Sequence, residues 1–232
     1  MSAQLKLLKK SLKTKFKKCQ IPDASAHDIF YIECQPNQLL DLMTFLKTDS
    51  TALFEQLSDL CGVDYLLYGC DEWQSSEQAT DKGFSRATFD QDPSRSTWPK
   101  PRFATVYHLL SLTLNQRIAV RCFLGEDLTL PSVCELWSSA NWYEREAFDL
   151  FGFTFSNHPD LRRLLTDYGF IGHPFRKDFP MIGKTEIRYD AEKKACVYDP
   201  VSIEDRTVIP KIIPKDQRMI LQKTLDKEKR NG

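Results

Sequence analysis

FATVYHLLSLTLNQRIAVRCFL, residues 103–124, is the stretch whose reading decides the fold. Phe103 to Leu114 reads as one long strand and Arg117 to Leu124 as a second, with Asn115-Gln116 as the turn between them. Asn-Gln is a weaker turn pair than Asn-Gly, but two apolar runs split by one polar pair still point to a hairpin. Upstream, His27 to Glu33 and Val63 to Tyr68 are further apolar runs bounded by turn signals, and both are expected strands. Pro36-Asn37 opens a helix carrying Leu39, Leu40, Leu42, Met43 and Leu46. Ser50 caps a second expected helix through Leu53, Phe54, Leu57 and Leu60, which Gly62 would stop. Downstream, Pro131 opens a helix with Val133, Leu136 and Trp137. Asn141 stands three residues before Glu144 as a variant capping box, with Ala147, Phe148 and Phe151 on one face and Gly152 as the stop. Strands interleaved with helices and joined by a hairpin predict an α+β fold, a two-layer α/β body on a mainly antiparallel or mixed sheet.

Composition sets the limits around that body. The chain has 232 residues, 41% of them hydrophobic, which is enough for one medium domain and additional segments. Lysine plus arginine equals aspartate plus glutamate at 32 each, a balance that speaks against a general nucleic-acid binder. The balance is uneven along the chain. Residues 1–20 carry seven lysines and no acid, residues 21–152 carry a net −11, and residues 153–232 a net +4. No stretch approaches the roughly 18 apolar residues of a spanning helix. Seven cysteines at wide, irregular spacing, with no CxxC pair, read as reduced core residues rather than a zinc site, an iron–sulfur site or disulfides.

Three segments follow: a basic N-terminal segment (1–25), the body (26–152, with 71–102 as a polar loop or insertion) and a C-terminal extension (153–232). Leu5, Leu8, Leu12 and Phe16 lie on one helical face among lysines, so residues 1–18 predict a basic amphipathic helix, solvated or docked on a partner. Anchoring to a membrane is a secondary expectation for it. The extension holds six of the 12 prolines and little periodicity, yet carries Phe153, Phe155, Leu161, Leu164, Leu165, Tyr168, Phe170, Phe175, Phe179 and Ile182. Within it, Lys184–Asp190 and Lys194–Asp199 are spaced to form a small hairpin. An extended tail cannot bury so many apolar side chains on itself, which predicts that it wraps another protein.

The charged and imidazole side chains admit several chemistries. Glu144, Glu146 and Asp149 around Arg145 are close enough in sequence for acid–base work, but acids early in a helix also serve its dipole and cap. His158 and His173 stand fifteen apart without a metal-binding motif, and histidines before proline in loops commonly bond the backbone, so no metal site is expected. Arg162-Arg163 and Arg176-Lys177 have the chemistry to clamp an anion or to pair with carboxylates of a neighbour. There is no glycine-rich nucleotide loop. These residues describe an interaction subunit without a cofactor of its own.

The same residues resemble a known signature. Glu144-Arg145-Glu146-Ala147-Phe148-Asp149-Leu150-Phe151-Gly152, then His158-Pro159-Asp160-Leu161-Arg162-Arg163-Leu164-Leu165, is similar to that of the 30-kDa (C) subunit of respiratory complex I, NADH:quinone oxidoreductase. Thr166-Asp167-Tyr168-Gly169-Phe170 and Gly172-His173-Pro174-Phe175-Arg176-Lys177-Asp178-Phe179-Pro180 continue the match. The resemblance implies an α/β body with an irregular C-terminal extension that wraps the 49-kDa (D) subunit of the peripheral arm. It implies no flavin or iron–sulfur cluster in this chain, the FMN and clusters residing in partner subunits. The subunit would support electron transfer from NADH to quinone in a proton-translocating complex by positioning the 49-kDa subunit. The implied location is peripheral, on the cytoplasmic face of a bacterial inner membrane, with the mitochondrial matrix face as the alternative. An equivalent subunit of a membrane-bound hydrogenase-type complex is the alternative function. As subunit-interface positions the resemblance gives Glu144, Arg145, Glu146 and Asp149 in the body, and His158 and His173 in the extension. On the extension it also gives Arg162, Arg163, Arg176 and Lys177 as anchors, and Tyr168, Phe170, Phe175 and Phe179 as buried area.

Overall fold

The computed structural model describes residues 3–21, 30–66, 68, 98–180, 183 and 185–203. Its elements run α1 (Ala3–Lys15), β1 (Phe30–Cys34), α2 (Pro36–Thr48), β2 (Gln56–Asp64), β3 (Phe103–Ser111), β4 (Gln116–Phe123), β5 (Thr129–Pro131), α3 (Ala140–Phe151), β6 (Thr154–Ser156), β7 (Thr185–Asp190) and β8 (Ala195–Pro200). The polar stretch expected as a loop or insertion lies mostly outside the described residues.

β3 and β4 form the expected hairpin, from Ala104 opposite Phe123 to Ser111 opposite Gln116, but the turn is residues 112–115 rather than Asn115-Gln116. Gln116 already pairs in β4, and Asn115 closes the turn in the left-handed conformation (φ 47°). β2 adds antiparallel to β3 and β1 adds parallel to β4, giving a mixed sheet in the order β1-β4-β3-β2. Period-two alternation sends Ile32, Tyr107, Leu109, Ile118 and Val120 to one face. There they meet Leu39, Leu42, Met43 and Leu46 of α2 and Ala147, Leu150 and Phe151 of α3 in one core. The result is the two-layer α+β body read from the sequence.

Three expectations fail locally, each for a physical reason. Residues 50–62 form no helix. Leu53 turns the chain at φ 45°, and a bulge then inserts Ser58, so that Leu57 faces Leu109 while Asp59 faces His108. The extra residue makes Leu57 and Leu60, three apart, both point inward, which counterfeits a helical spacing within a strand. Pro131 ends β5 rather than opening a helix, and Val133–Trp137 makes a single turn, closed by Leu136 and Trp137 donating to the Val133 carbonyl. Asn141 lies inside α3, which starts at Ala140, and no capping box forms because Glu144 is turned into the core. Gly152 does end α3, at φ 77°.

The basic helix is present, but its apolar face docks on its own body. Leu8 and Leu12 are fully buried, Phe16 packs on Phe45, and Lys15 pairs with Asp49 at 2.9 Å. With that face occupied, an amphipathic membrane anchor has no apolar side to insert. Phe153 and Phe155, expected in the partner-bound tail, are likewise in the core, since β6 pairs with β5. The β7–β8 hairpin is a separate unit, antiparallel from Thr185 opposite Pro200 to Asp190 opposite Ala195.

Gly62 marks where α3 presses on β2. A Cβ there would lie 2.5 Å from the Phe151 ring, so Gly62→Ala is expected to cost about 1–3 kcal/mol by overpacking. Urea unfolding of the purified variant checks this, and an unchanged midpoint would refute the close approach.

Candidate functional site

The residues that follow β6 form a strap, 157–179, bound to α3 and to the end of β2 by two buried carboxylates. An α-helix leaves its last four carbonyls without partners. Here each one has a partner. The Phe148 carbonyl accepts from Gly152 N–H, and the Leu150 carbonyl from Phe175 N–H at 3.1 Å. His173 Nδ1 donates to the Asp149 carbonyl at 2.9 Å, and Arg176 Nε to that of Phe151 at 2.7 Å. Gly152 makes this possible, because a Cβ there would come within 2.6 Å of His173 Nε2 and 2.7 Å of an Arg176 guanidinium nitrogen.

Asp149 is the first anchor. Its Oδ2 accepts the N–H groups of Leu164 (3.0 Å), Leu165 (2.7 Å) and Thr166 (2.8 Å). Its Oδ1 accepts from Arg163 at 2.8 Å and from the Thr166 hydroxyl. Arg163 also donates to the Gly172 carbonyl at 3.0 Å, closing the strap on itself. Arg145 donates to the carbonyls of Arg162 and Arg163, both at 3.2 Å. Burial alone would raise the Asp149 pKa, but these donors outweigh it and hold the carboxyl well below its ordinary value.

Asp64, at the end of β2, is the second anchor. It takes a two-point bond from Arg102 (2.8 and 2.7 Å) and the N–H groups of Leu66 (2.9 Å) and Lys177 (2.8 Å). Arg102 reaches on to Asp178 at 3.0 Å. Burial again opposes ionisation, and the Arg102 and main-chain bonds again lower the pKa.

Among the singled-out residues, Glu144 belongs to a different cluster. It is fully buried, its Oε1 accepting Val133 N–H at 2.7 Å and its Oε2 standing 3.5 Å from Cys134 Sγ and 4.0 Å from His158 Nε2. Burial raises its pKa despite these donors. Burial, reinforced by Glu144, also pushes the Cys134 thiol up to about 11, the reverse of nucleophile activation. His158 Nδ1 accepts Asp160 N–H at 3.0 Å, so Nε2 carries the proton and donates to the Asn141 carbonyl at 3.2 Å. That tautomer leaves no lone pair on Nε2 for a metal. Glu146 is half-buried and in no ion pair with another described residue, and Arg162 pairs on the surface with Asp160 at 2.7 Å.

The strap turns a set of large side chains outward. Tyr168 is 85% exposed and Ile171 91%, while Leu165 and Phe175 are also exposed. Phe170 and Phe179 stack on each other at 5.9 Å, so their area is used within the strap. Ile171, Asp64 and Arg102 escaped the sequence reading. An acid between Val63 and Tyr65 in an apolar run was the available signal for Asp64.

Acid should loosen the strap, and the sign is fixed by the lowered pKa values. Asp149 and Asp64 are more acidic folded than unfolded, so their stabilisation is complete above about pH 4 and lost as pH falls through their folded values. Glu144, shifted upward, acts in the opposite sense at higher pH, which confines the loss to below about pH 4. The urea midpoint is expected to drop steeply there. A midpoint that stays flat to about pH 2.5 would contradict the two-anchor account.

Comparison with known proteins gives a consistent result. The family model described as respiratory-chain NADH dehydrogenase, 30 Kd subunit, matches residues 32–185. The chain is 54% identical over 194 residues to the C subunit of NADH-quinone oxidoreductase from Coxiella burnetii, covering 82% of this chain and 85% of that one. It is 54% identical over 197 residues to the protein of the same name from Legionella pneumophila, covering 84% and 86%. Among solved structures, a trypsin-resistant fragment of Nqo5 matches with a TM-score of 0.50 and 29% identity, over 68% of this chain and 99% of the fragment. A chain of a membrane-bound sulfane sulfur reductase, an archaeal respiratory membrane complex, shares the fold at a TM-score of 0.53 and 19% identity, over 77% and 87%.

Proposed function

The chain belongs to the 30-kDa subunit family of respiratory-chain NADH dehydrogenase, and from that premise we propose that its strap docks it on the 49-kDa (D) subunit of the peripheral arm. Its contribution to NADH:quinone electron transfer is then positional, holding the 49-kDa subunit in place in a proton-translocating complex. The observation that carries the reading is the build of the strap. The Arg163 side chain and the N–H groups of Leu164, Leu165, Thr166 and Lys177 are turned inward onto Asp149 and Asp64, while Tyr168, Ile171, Leu165 and Phe175 present their side chains to solvent. A loop locked in this way presents apolar anchors with little ordering left to do on binding, the arrangement of an interface hot spot. The hairpin supports a partner-covered extension as well, because two strands with Ile187 and Tyr189 exposed are marginal alone in water.

In this reading the anchors divide the signature. Arg145, Asp149, Arg163, His173 and Arg176 shape the strap from within, and Tyr168 and Phe175, with Arg162 and Lys177 at the rim, meet the partner. FMN and iron–sulfur clusters reside in partner subunits. Attachment to the cytoplasmic face of a bacterial inner membrane is through those partners. No helix among the described residues is long and apolar enough to cross a membrane.

Affinity purification of the tagged full chain from gently solubilised membranes tests the proposal. Recovery of a 49-kDa-type subunit together with NADH-to-quinone activity is expected. Recovery with hydrogenase-type electron-input subunits instead would assign it to the related complex, and recovery alone would remove the docking role.

A further inference from the structure

The β-bulge at Ser58 has a chemical consequence on the sheet face opposite the helices. By inserting one residue, it places Asp59 directly across from His108, while Cys61, two residues on along β2, points to the same face. The carboxylate, thiol and imidazole atoms all lie within 4.8 Å of one another. Each side chain is partly exposed, and none makes a hydrogen bond or ion pair with another described residue. We propose that Asp59, Cys61 and His108 form a surface site for a divalent transition-metal ion of zinc's preferences.

The chemistry of the donor set supports this ion class. Zinc takes thiolate, imidazole and carboxylate ligands at about 2.0–2.3 Å, so tetrahedral neighbours stand about 3.3–3.7 Å apart. Rotamer changes of about an ångström would close the three side chains to that spacing from where the sheet holds them. Three protein ligands on an accessible face leave the fourth position to water. The carboxylates of Asp59 and Glu146 both add negative potential at the Cys61 thiol, which favours a cation there. Metal binding releases the thiol proton to solvent, exchanging S–H for S–metal with no change of oxidation state. Cys134, Glu144 and His158 make the contrast. That trio is equally close, but its histidine Nε2 is committed as a donor to a carbonyl, whereas His108 has no such commitment among the described residues. Because β2 and β3 lose one step of pairing at the bulge, an ion bound there would tie the two strands across the weakest point of their ladder.

Cobalt(II) and zinc titrations of the purified full chain test the site. One equivalent of Co²⁺ should bind with tetrahedral visible bands and a sulfur-to-cobalt charge-transfer band, and Zn²⁺ should displace it. Cys61→Ser should abolish the charge-transfer band, whereas Cys196→Ser, on the exposed hairpin, should keep it. His108→Ala and Asp59→Asn should each weaken zinc about tenfold or more in competition with a chromophoric chelator. Thermal unfolding of each metal-free variant establishes that it is folded. No stoichiometric binding, or a spectrum that survives both Cys61→Ser and His108→Ala, would overturn the proposal.

Discussion

Asp149→Ala is expected to cost about 3–5 kcal/mol, the range for removing one partner of a buried charge pair. The substitution leaves three main-chain N–H groups, the Thr166 hydroxyl and the Arg163 guanidinium without their acceptor. Each of those donors loses its bond at a depth where water does not replace it easily. The loss is a large part of a domain's stability, typically about 5–15 kcal/mol. The strap should also come free locally, because Asp149 accepts all three N–H groups of the turn from Leu164 to Thr166. Trypsin should then cut at Arg162 and Arg163 in conditions where the wild-type chain resists. Urea unfolding and timed proteolysis read both effects. A loss under about 1 kcal/mol with unchanged proteolysis would mean that the strap is held elsewhere.

The second large effect falls on assembly and leaves the fold intact. Tyr168→Ser combined with Ile171→Ser removes two side chains that are almost wholly in solvent. Neither is part of the buried core, so the unfolding midpoint of the isolated chain should stay within about 0.5 kcal/mol of wild type. If both are anchors in a desolvated interface, each is worth about 2 kcal/mol or more, and affinity for the 49-kDa subunit should fall at least about a hundredfold. Binding of the purified double variant to that subunit measures this. Unaltered affinity would place the interface on another face.

The hairpin of β3 and β4 was legible because its main signal is local, two apolar runs interrupted once, although the turn falls on residues 112–115 and Gln116 joins β4. β2 was misread for an equally local reason. Its bulge spaces Leu57 and Leu60 three apart, and a linear reading cannot tell that from a helix. Glu144 misled in another way. An acid three residues after Asn141 fits a capping box, and only the packing of Val133 onto α3 shows that the carboxylate is needed inside. The resemblance flagged Asp149, Arg163, His173 and Arg176 as positions that matter, and the structure gives each a stated bond within the chain. Asp64 and Arg102, which hold the other end of the strap, are 38 residues apart and meet only through the β2–β3 pairing. No local pattern announces such a contact. The outward set was partly legible too. The aromatic richness of the extension was plain, but which rings are used internally, as Phe170 and Phe179 are, depends on how the strap closes.

Site-specific photo-crosslinking from position 171 in the assembled membrane complex tests the docking surface most directly. A photoreactive residue replacing Ile171, which is 91% exposed in the isolated chain, should form one dominant crosslink. Mass spectrometry is expected to identify its partner as the 49-kDa-type subunit, with the crosslink absent when Asp149→Ala unlocks the strap. A crosslink to a different subunit, or none from a complex that is otherwise intact, would contradict the account.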